Sequence, residues 1–317
     1  MLRNTLAMAV IALGTAAPAL AQDAYPADNI QVIVGFNPGG GTDVMARTVA
    51  PILARHLGEG VEVSIVNRPG AGGQIGWTEL AAAAPDGYTL GTMNLPSMVA
   101  KLYDREPDFT LDSFTFIGTV MRDPSVMIVR ADSPYTSLND VIEAAKKAPG
   151  AITYAIGGLG GEDHFAAVQL EAAAGADLAV VPFGGAAPAR AALLGGHVAL
   201  GGVNLSEVSE FADQVRILAV YSKARSPLAA DAPTALEQGF DVQIASIRGL
   251  AAPAGLPEEV EAKLVAAFDA MAEDPAFLAL REAQGFPLEV VTGDAYRALA
   301  AEQSAVAQRV WNETPWQ

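Results

Sequence analysis

The stretch IQVIVGFNPGGGTD, residues 30–43, decides the reading of this chain. A run of apolar and β-branched residues from Ile30 to Phe36 predicts a buried strand. It feeds straight into Asn37, Pro38 and the glycines Gly39, Gly40 and Gly41. Thr42 stands where a helix N-cap is expected, with Asp43 in the first turn. The helix predicted over 43–57 places Met45, Val49, Ile52, Leu53 and Leu57 on one face. Strand, glycine turn and helix N-terminus build a nest for an anion, because glycine lets the backbone approach a ligand and exposed N–H groups point at it. The plainer reading is a structural turn with a cap, which every strand-to-helix connection needs. Asp43 is expected to brace the loop rather than meet an anion, since like charges repel.

Working outward, short apolar runs alternate with amphipathic stretches. Strands are predicted at 30–36, 61–66, 89–93, 116–120, 127–129, 152–155, 179–182, 198–203, 217–220 and 247–252. Helices are predicted at 43–57, 75–83, 138–145, 163–174, 187–194, 205–213, 258–272, 275–284 and 294–310. This alternation predicts an α/β fold with mostly parallel sheets, whose ligands sit beyond the carboxyl ends of strands. The opening pattern runs twice. The loop GGLGGED joins strand to helix in the segment 152–174 as the first glycine loop does in 30–57. Two such nests imply two lobes facing a cleft, with Asp123-Pro124 and residues 246–249 as crossovers. The lobes then comprise 22–122 with 246–317, and 123–245.

Residues 1–21 read as a cleavable export signal. Arg3 supplies a short positive region, an apolar stretch runs from about Leu6 to Ala17, and Ala19-Leu20-Ala21 is a small-x-small cleavage pattern. The stretch is too short for a stable membrane span. Cleavage after Ala21 leaves 296 of the 317 residues, enough for two lobes, and moves the formal charge from −17 to −18. A charge this acidic argues against nucleic acid and anionic membrane surfaces as partners. Cysteine is absent, so disulfides, thiol catalysis, thiolate metal sites and an N-terminal lipid anchor are excluded. A bacterial periplasm accommodates such a protein.

NRPGAGGQIG, residues 67–76, has Ile75 where G-x-G-x-x-G needs its last glycine, and it lacks the Gly-Lys-Ser/Thr of a P-loop. Close packing of two backbones is the favoured reading. Asn94 and Ser97, near the end of the strand at 89–93, either donate to a ligand or form a plain turn. His164 lacks ligand partners at helical spacing, so no metal or cofactor is expected, and a hydrogen-bonding brace is favoured over ligand contact. Arg248, in the apolar run ASIRGLAAP, is either a snorkelling edge residue or a charge aimed into the cleft. There is no G-x-S-x-G, no H-E-x-x-H and no cysteine nucleophile, so no catalytic residue is assigned.

Blocks in order along nearly the whole chain then carry a resemblance. They are Tyr25-Pro26, VGFNPGGGTDVMAR (34–47), VNRPGAGGQIG (66–76), APDGYTLG (84–91), VPFGGAAPARAALLGGHV (181–198) and RGLAAPAGLPEEV (248–260). The chain resembles the substrate-binding proteins of tripartite tricarboxylate transporters, the Bug-type periplasmic receptors. The resemblance implies a type II periplasmic binding protein, with two α/β lobes around a ligand cleft joined by crossover strands. It implies a monomer that captures a small organic acid or amino acid without turnover and delivers it to two membrane permease subunits. Its ligand wall maps onto Phe36, Asn37, Pro38, Gly39, Gly40, Thr42 and Asp43 from the first loop. Gly157, Gly160, Gly161 and His164 face them, with Phe183, Gly184 and Ala186 from a second-lobe turn. Asn94, Ser97, Asn204 and Arg248 complete the set.

The chain departs from the family pattern in its second lobe. A loop that is often serine-rich in the family has here Ile156, Gly157, Gly161, Glu162 and Asp163. Where many members have Val-Pro-Tyr-Lys-Gly, this chain has Val181-Pro182-Phe183-Gly184-Gly185. Hydroxyls and a positive charge are lost and two acids are gained. The expected ligand is therefore either one with an amino group facing Glu162 or Asp163, or a monocarboxylate with an apolar body, and Arg248 is expected to offer a bidentate carboxylate contact. Two further classes stay open: a ligand sensor acting with a membrane signalling partner, and an exported α/β enzyme.

Overall fold

A computed structural model describes residues 25–104 and 107–316. The expected export signal and its cleavage site lie outside the described residues. The chain opens with β1 (Ile30–Val34), α1 (Gly41–Leu57), β2 (Val63–Asn67), α2 (Gln74–Ala81), β3 (Thr89–Leu95) and α3 (Ser97–Asp104). A long β4 (Phe114–Arg130) leads to α4 (Leu138–Lys147), β5 (Thr153–Ile156), α5 (Glu162–Ala174), β6 (Ala179–Pro182), α6 (Ala186–Leu194), β7 (Leu200–Asn204), α7 (Leu205–Val208) and β8 (Val215–Val220). β9 (Ala245–Pro253) then returns, followed by α8 (Glu258–Ala272), α9 (Pro275–Leu278), α10 (Leu280–Gln284) and α11 (Gly293–Glu313).

The strands form one path, β2-β1-β3-β9-β4-β7-β5-β6, with β8 on β4. β1 is parallel to β2 and β3, and β5 is parallel to β6 and β7. β9 is antiparallel to β3 and β4, while β4 is antiparallel to β7 and β8. Two α/β lobes thus share a pair of crossing strands. β4 pairs with β9 as far as Pro124↔Ala245 and then with β7 from Ser125↔Asn204 onward. The separate strands expected at 116–120 and 127–129 are therefore one strand. Asp123-Pro124 reads as a break in sequence, but Pro124 falls where the strand changes partner, a place that tolerates a missing N–H.

Each lobe has its own core. In the first, Met45, Val49, Ile52, Leu53 and Leu57 of α1 are buried against Val32, Leu90, Leu264 and Phe268. In the second, Tyr154, Ile156, Leu170, Leu200 and Leu218 are buried together. Gly35 packs on the loop after β2. A Cβ on Gly35 would lie 2.9 Å from the Gly73 carbonyl oxygen, and one on Gly76 would lie 2.8 Å from Gly35 Cα. This close contact of two backbones agrees with the packing reading of the 67–76 loop. α3 was not foreseen; it starts just after Pro96, in a segment that reads as a turn.

Candidate functional site

The two glycine loops have the same construction. Gly39 and Gly160 both sit at φ +79, in the left-handed region that favours glycine. Gly40 and Gly161 follow as N-caps of α1 and α5. The Gly40 N–H donates to Asn37 O at 3.4 Å, and the Gly161 N–H donates to Gly158 O at 3.2 Å. Each loop is then braced four residues on. The Gly39 N–H donates to Asp43 Oδ2 at 2.9 Å, and the Gly160 N–H donates to His164 Nδ1 at 3.1 Å.

The braces are electrostatically distinct. Asp43 also accepts from Arg47 Nε at 3.0 Å and from Asn67 Nδ2 at 2.8 Å. Burial pushes its carboxyl up, but the bonds from Arg47, Gly39 and Asn67 outweigh it and hold the pKa below the usual range. His164 is buried against Phe165 and Trp316, its ring centroid 5.5 Å from that of Trp316. Burial, then the nearby Lys101 charge, lowers its pKa to about 4. A neutral ring leaves Nδ1 free to accept from Gly160.

Three helix N-termini open on one cavity. The N-caps Gly40, Gly161 and Gly185 are glycines with no side-chain cap, so the first N–H groups of α1 and α6 keep their donor capacity, whereas at α5 the His164 N–H donates to Asp163 Oδ1 at 2.9 Å. Thr42, expected as the N-cap of α1, lies instead inside the helix, whose first residue is Gly41. Its hydroxyl takes the Asn94 Nδ2 donor at 2.6 Å. Contacts also cross the cleft. Asn37 Nδ2 donates to Gly184 O at 3.1 Å, Ser97 Oγ to Glu162 Oε2 at 3.4 Å, and Lys101 Nζ to Leu159 O at 3.0 Å.

The cavity is small, with about 80 Å³ open to the centre of a water-sized sphere, inside about 760 Å³ of empty space that includes the open solvent at its mouth. Of the residues singled out from sequence, Phe36, Asn37, Gly40, Thr42, Asn94, Ser97, Gly157, Gly161, Ala186, Asn204 and Arg248 line it. Pro38, Gly39, Asp43, Gly160, His164, Phe183 and Gly184 are not on its wall. Asp43, Gly160 and His164 belong to the braces behind the loops. Pro38 and Gly39 are exposed on the outside of the turn, and Gly184 meets Asn37 at the lip. Phe183 packs instead against the second-lobe cluster around Val203. Sequence reasoning left out Gly72, Pro188, Gly202, Val203 and Glu207. Only Glu207 carried a usable signal: an acid one turn past the strand end at Asn204.

Charge on the wall is lopsided. It carries Glu162, Asp163 and Glu207, and one cation, Arg248. Arg248 is buried, so the snorkelling reading is set aside. Its Nη1 lies 3.3 Å from Asp123 Oδ2, and its Nη2 lies 3.2 Å from Glu207 Oε1 and also donates to Asn204 Oδ1. Both terminal nitrogens are thus engaged by the chain's own groups, which corrects the expected bidentate contact with a ligand. Only Nε has no partner. Burial lowers the Arg248 pKa, but Asp123 and Glu207 outweigh it and raise the value above the ordinary one. Asp123 accepts from the Ser206 N–H and hydroxyl, yet burial still raises its pKa. Burial, then the Glu162 charge, raises Asp163. Among the described residues no group of three or more acids and histidines could hold a metal ion. No helix there is long and apolar enough to cross a membrane.

Two α/β lobes joined by crossing strands, with glycine-capped helix N-termini facing across a cleft, define a type II periplasmic binding protein fold. The chain belongs to the tripartite tricarboxylate transporter family receptors, whose family profile matches residues 45–314. Protein BugT of Bordetella pertussis is 34% identical over 296 residues, which is 92% of this chain and 90% of its own. The solved structure of the periplasmic binding protein BugD is 31% identical with a TM-score of 0.83, covering 91% of this chain and 98% of that one. MatC of Rhodopseudomonas palustris, solved with bound malate, is 26% identical with a TM-score of 0.81, covering 90% of this chain and 99% of that one.

Proposed function

We propose that this chain is a periplasmic receptor that captures a small carboxylate-bearing metabolite by closure of its lobes. It hands the ligand to two permease subunits of a tripartite tricarboxylate-type transporter and does not turn it over. The observation that carries this reading is the convergence of the α1 and α6 N-termini, one from each lobe and neither capped by a side chain, on one cavity. Each offers unpaired N–H groups and the positive end of a helix dipole, which together receive a carboxylate. The malate bound by MatC supports the same ligand chemistry. The change of partner within β4 supports lobe boundaries at 122/123 and 245/246. The cross-cleft bonds from Asn37, Ser97 and Lys101 support closure, because a ligand that favours the closed arrangement shifts the population toward it.

A thermal-shift panel on ligand-stripped residues 22–317 tests this reading. At 100 times its dissociation constant a ligand stabilises the native state by about 2.7 kcal/mol, a rise of a few degrees in Tm for a chain this size. Stabilisation by a carboxylate, with the compound recovered unchanged, is the expected result. No shift with any mono-, di- or tricarboxylate or amino acid would overturn the reading.

A further inference from the structure

The cavity wall has more to satisfy than a carboxylate can. Glu162 is half-buried, and among the described residues its one hydrogen-bond partner is the Ser97 hydroxyl at 3.4 Å. Glu207 is buried, and only its Oε1 faces Arg248. Asn94, 5% exposed, gives its Nδ2 to Thr42, and its Oδ1 is left on the wall, buried and without a partner. Acceptors therefore stand beside the donors of the helix N-termini. The wall's one cation is held by Asp123 and Glu207.

From this arrangement we infer that the ligand of the proposed receptor is a zwitterion. Its carboxylate lies on the N–H groups of α1 and α6, and its protonated nitrogen is held by Glu162, Glu207 and Asn94 Oδ1. This inference rests on the receptor reading and narrows it. An ammonium group donates three hydrogen bonds to these acceptors and pairs with the Glu162 carboxylate, whereas a second carboxylate would face it. The negative charge of Glu162 reaches far enough to raise the pKa of Glu207, so two acids act on the same space. Phe36, Leu159, Pro188 and Val203 supply apolar surface for the body of the ligand.

The test is calorimetric titration of ligand-stripped residues 22–317 with matched probes. These are leucine and 5-aminopentanoate, their des-amino counterparts 4-methylpentanoate and pentanoate, and adipate. An amine-bearing probe is expected to bind about tenfold or more tightly than its des-amino partner and than adipate, the scale of one charge-assisted hydrogen bond. Glu162→Gln should lower that preference by about tenfold and strengthen adipate binding, because a negative charge has left the wall. An unchanged Tm of the unliganded variant shows that the fold is not the cause. If adipate or a des-amino acid binds more tightly than its amine counterpart, the zwitterion inference fails and the carboxylate receptor stands. If no probe in any arm binds, the zwitterion inference fails, and the thermal-shift panel decides the receptor reading separately.

Discussion

Glu207→Gln removes a titratable group from the cavity wall and changes the pH dependence of stability in a calculable direction. Burial raises the Glu207 pKa from 4.5 to about 7; Arg248 opposes the rise, while Asp123 and Glu162 add to it. Below the lower value both folded and unfolded chains hold the proton, and the full stability is present. Between the two values the unfolded chain releases its proton while the folded chain keeps it, so stability falls as pH rises. Above the folded value the loss is complete, at about 3 kcal/mol for a shift of this size. Glutamine keeps the shape and does not titrate. Asp123 and Asp163, whose pKa values are also raised, are present in both proteins, so the difference between the two curves reports Glu207 together with its coupling to Asp123. Urea unfolding from about pH 4.5 to about pH 8 supplies the curves. The variant should gain on the parent by about 3 kcal/mol across that range, most of it before pH 7. Parallel curves would refute the reasoning, since they would mean that Arg248 keeps Glu207 ionised at little cost.

Other substitutions test separate parts of the architecture. Arg248→Met strips the cation from Asp123 and Glu207 and should cost about 3–5 kcal/mol at pH 8, and less at pH 5 where Glu207 holds a proton; urea unfolding at both values checks it. Asp43→Ala leaves the Gly39 N–H without its acceptor and takes one of two acceptors, the other being Phe36 O, from the Asn67 amide. It should lower stability by about 1–3 kcal/mol and weaken carboxylate binding in the thermal-shift panel, although Asp43 is not on the cavity wall. Gly249→Ala would drive a methyl group into the Gly118 carbonyl oxygen and to 2.8 Å from Thr119 Cα and the Tyr296 hydroxyl. Backbone cannot swing aside as a side chain can, so a loss of about 1–3 kcal/mol or failure to accumulate folded protein is expected by circular dichroism.

The fold was legible because its signals are local and repeated. The run Ile30–Val34 into a glycine turn and an amphipathic helix specifies one βα unit, and its echo at Thr153–Ile156 specifies a second. What escaped depends on contacts between distant segments. β4 reads as two strands separated by the crossover at Asp123-Pro124, yet it runs unbroken through that crossover, with Asp123 fully buried beside Arg248, 125 residues away in sequence. Within the site, the glycine loops were found but their inner and outer residues were not separated. Gly39 and Gly40 are neighbours in sequence, and only the backbone conformation puts one outside and the other on the wall. Arg248 shows the limit most plainly. An arginine in an apolar run signals a partner, but whether the partner is a ligand or the chain's own Asp123, Asn204 and Glu207 is decided by the crossing of β4 and β9 and by the strand end at Asn204.

The central claim is that a carboxylate is gripped by helix N-termini from both lobes. Amide NMR of the stripped protein, titrated with the carboxylate that stabilises it most, addresses that claim directly. The account predicts the largest shifts at the N–H groups of Gly41, Thr42, Ala186 and Ala187, on two lobes at once and in step with saturation. Shifts confined to one lobe, or centred on residues outside this cavity, would contradict it.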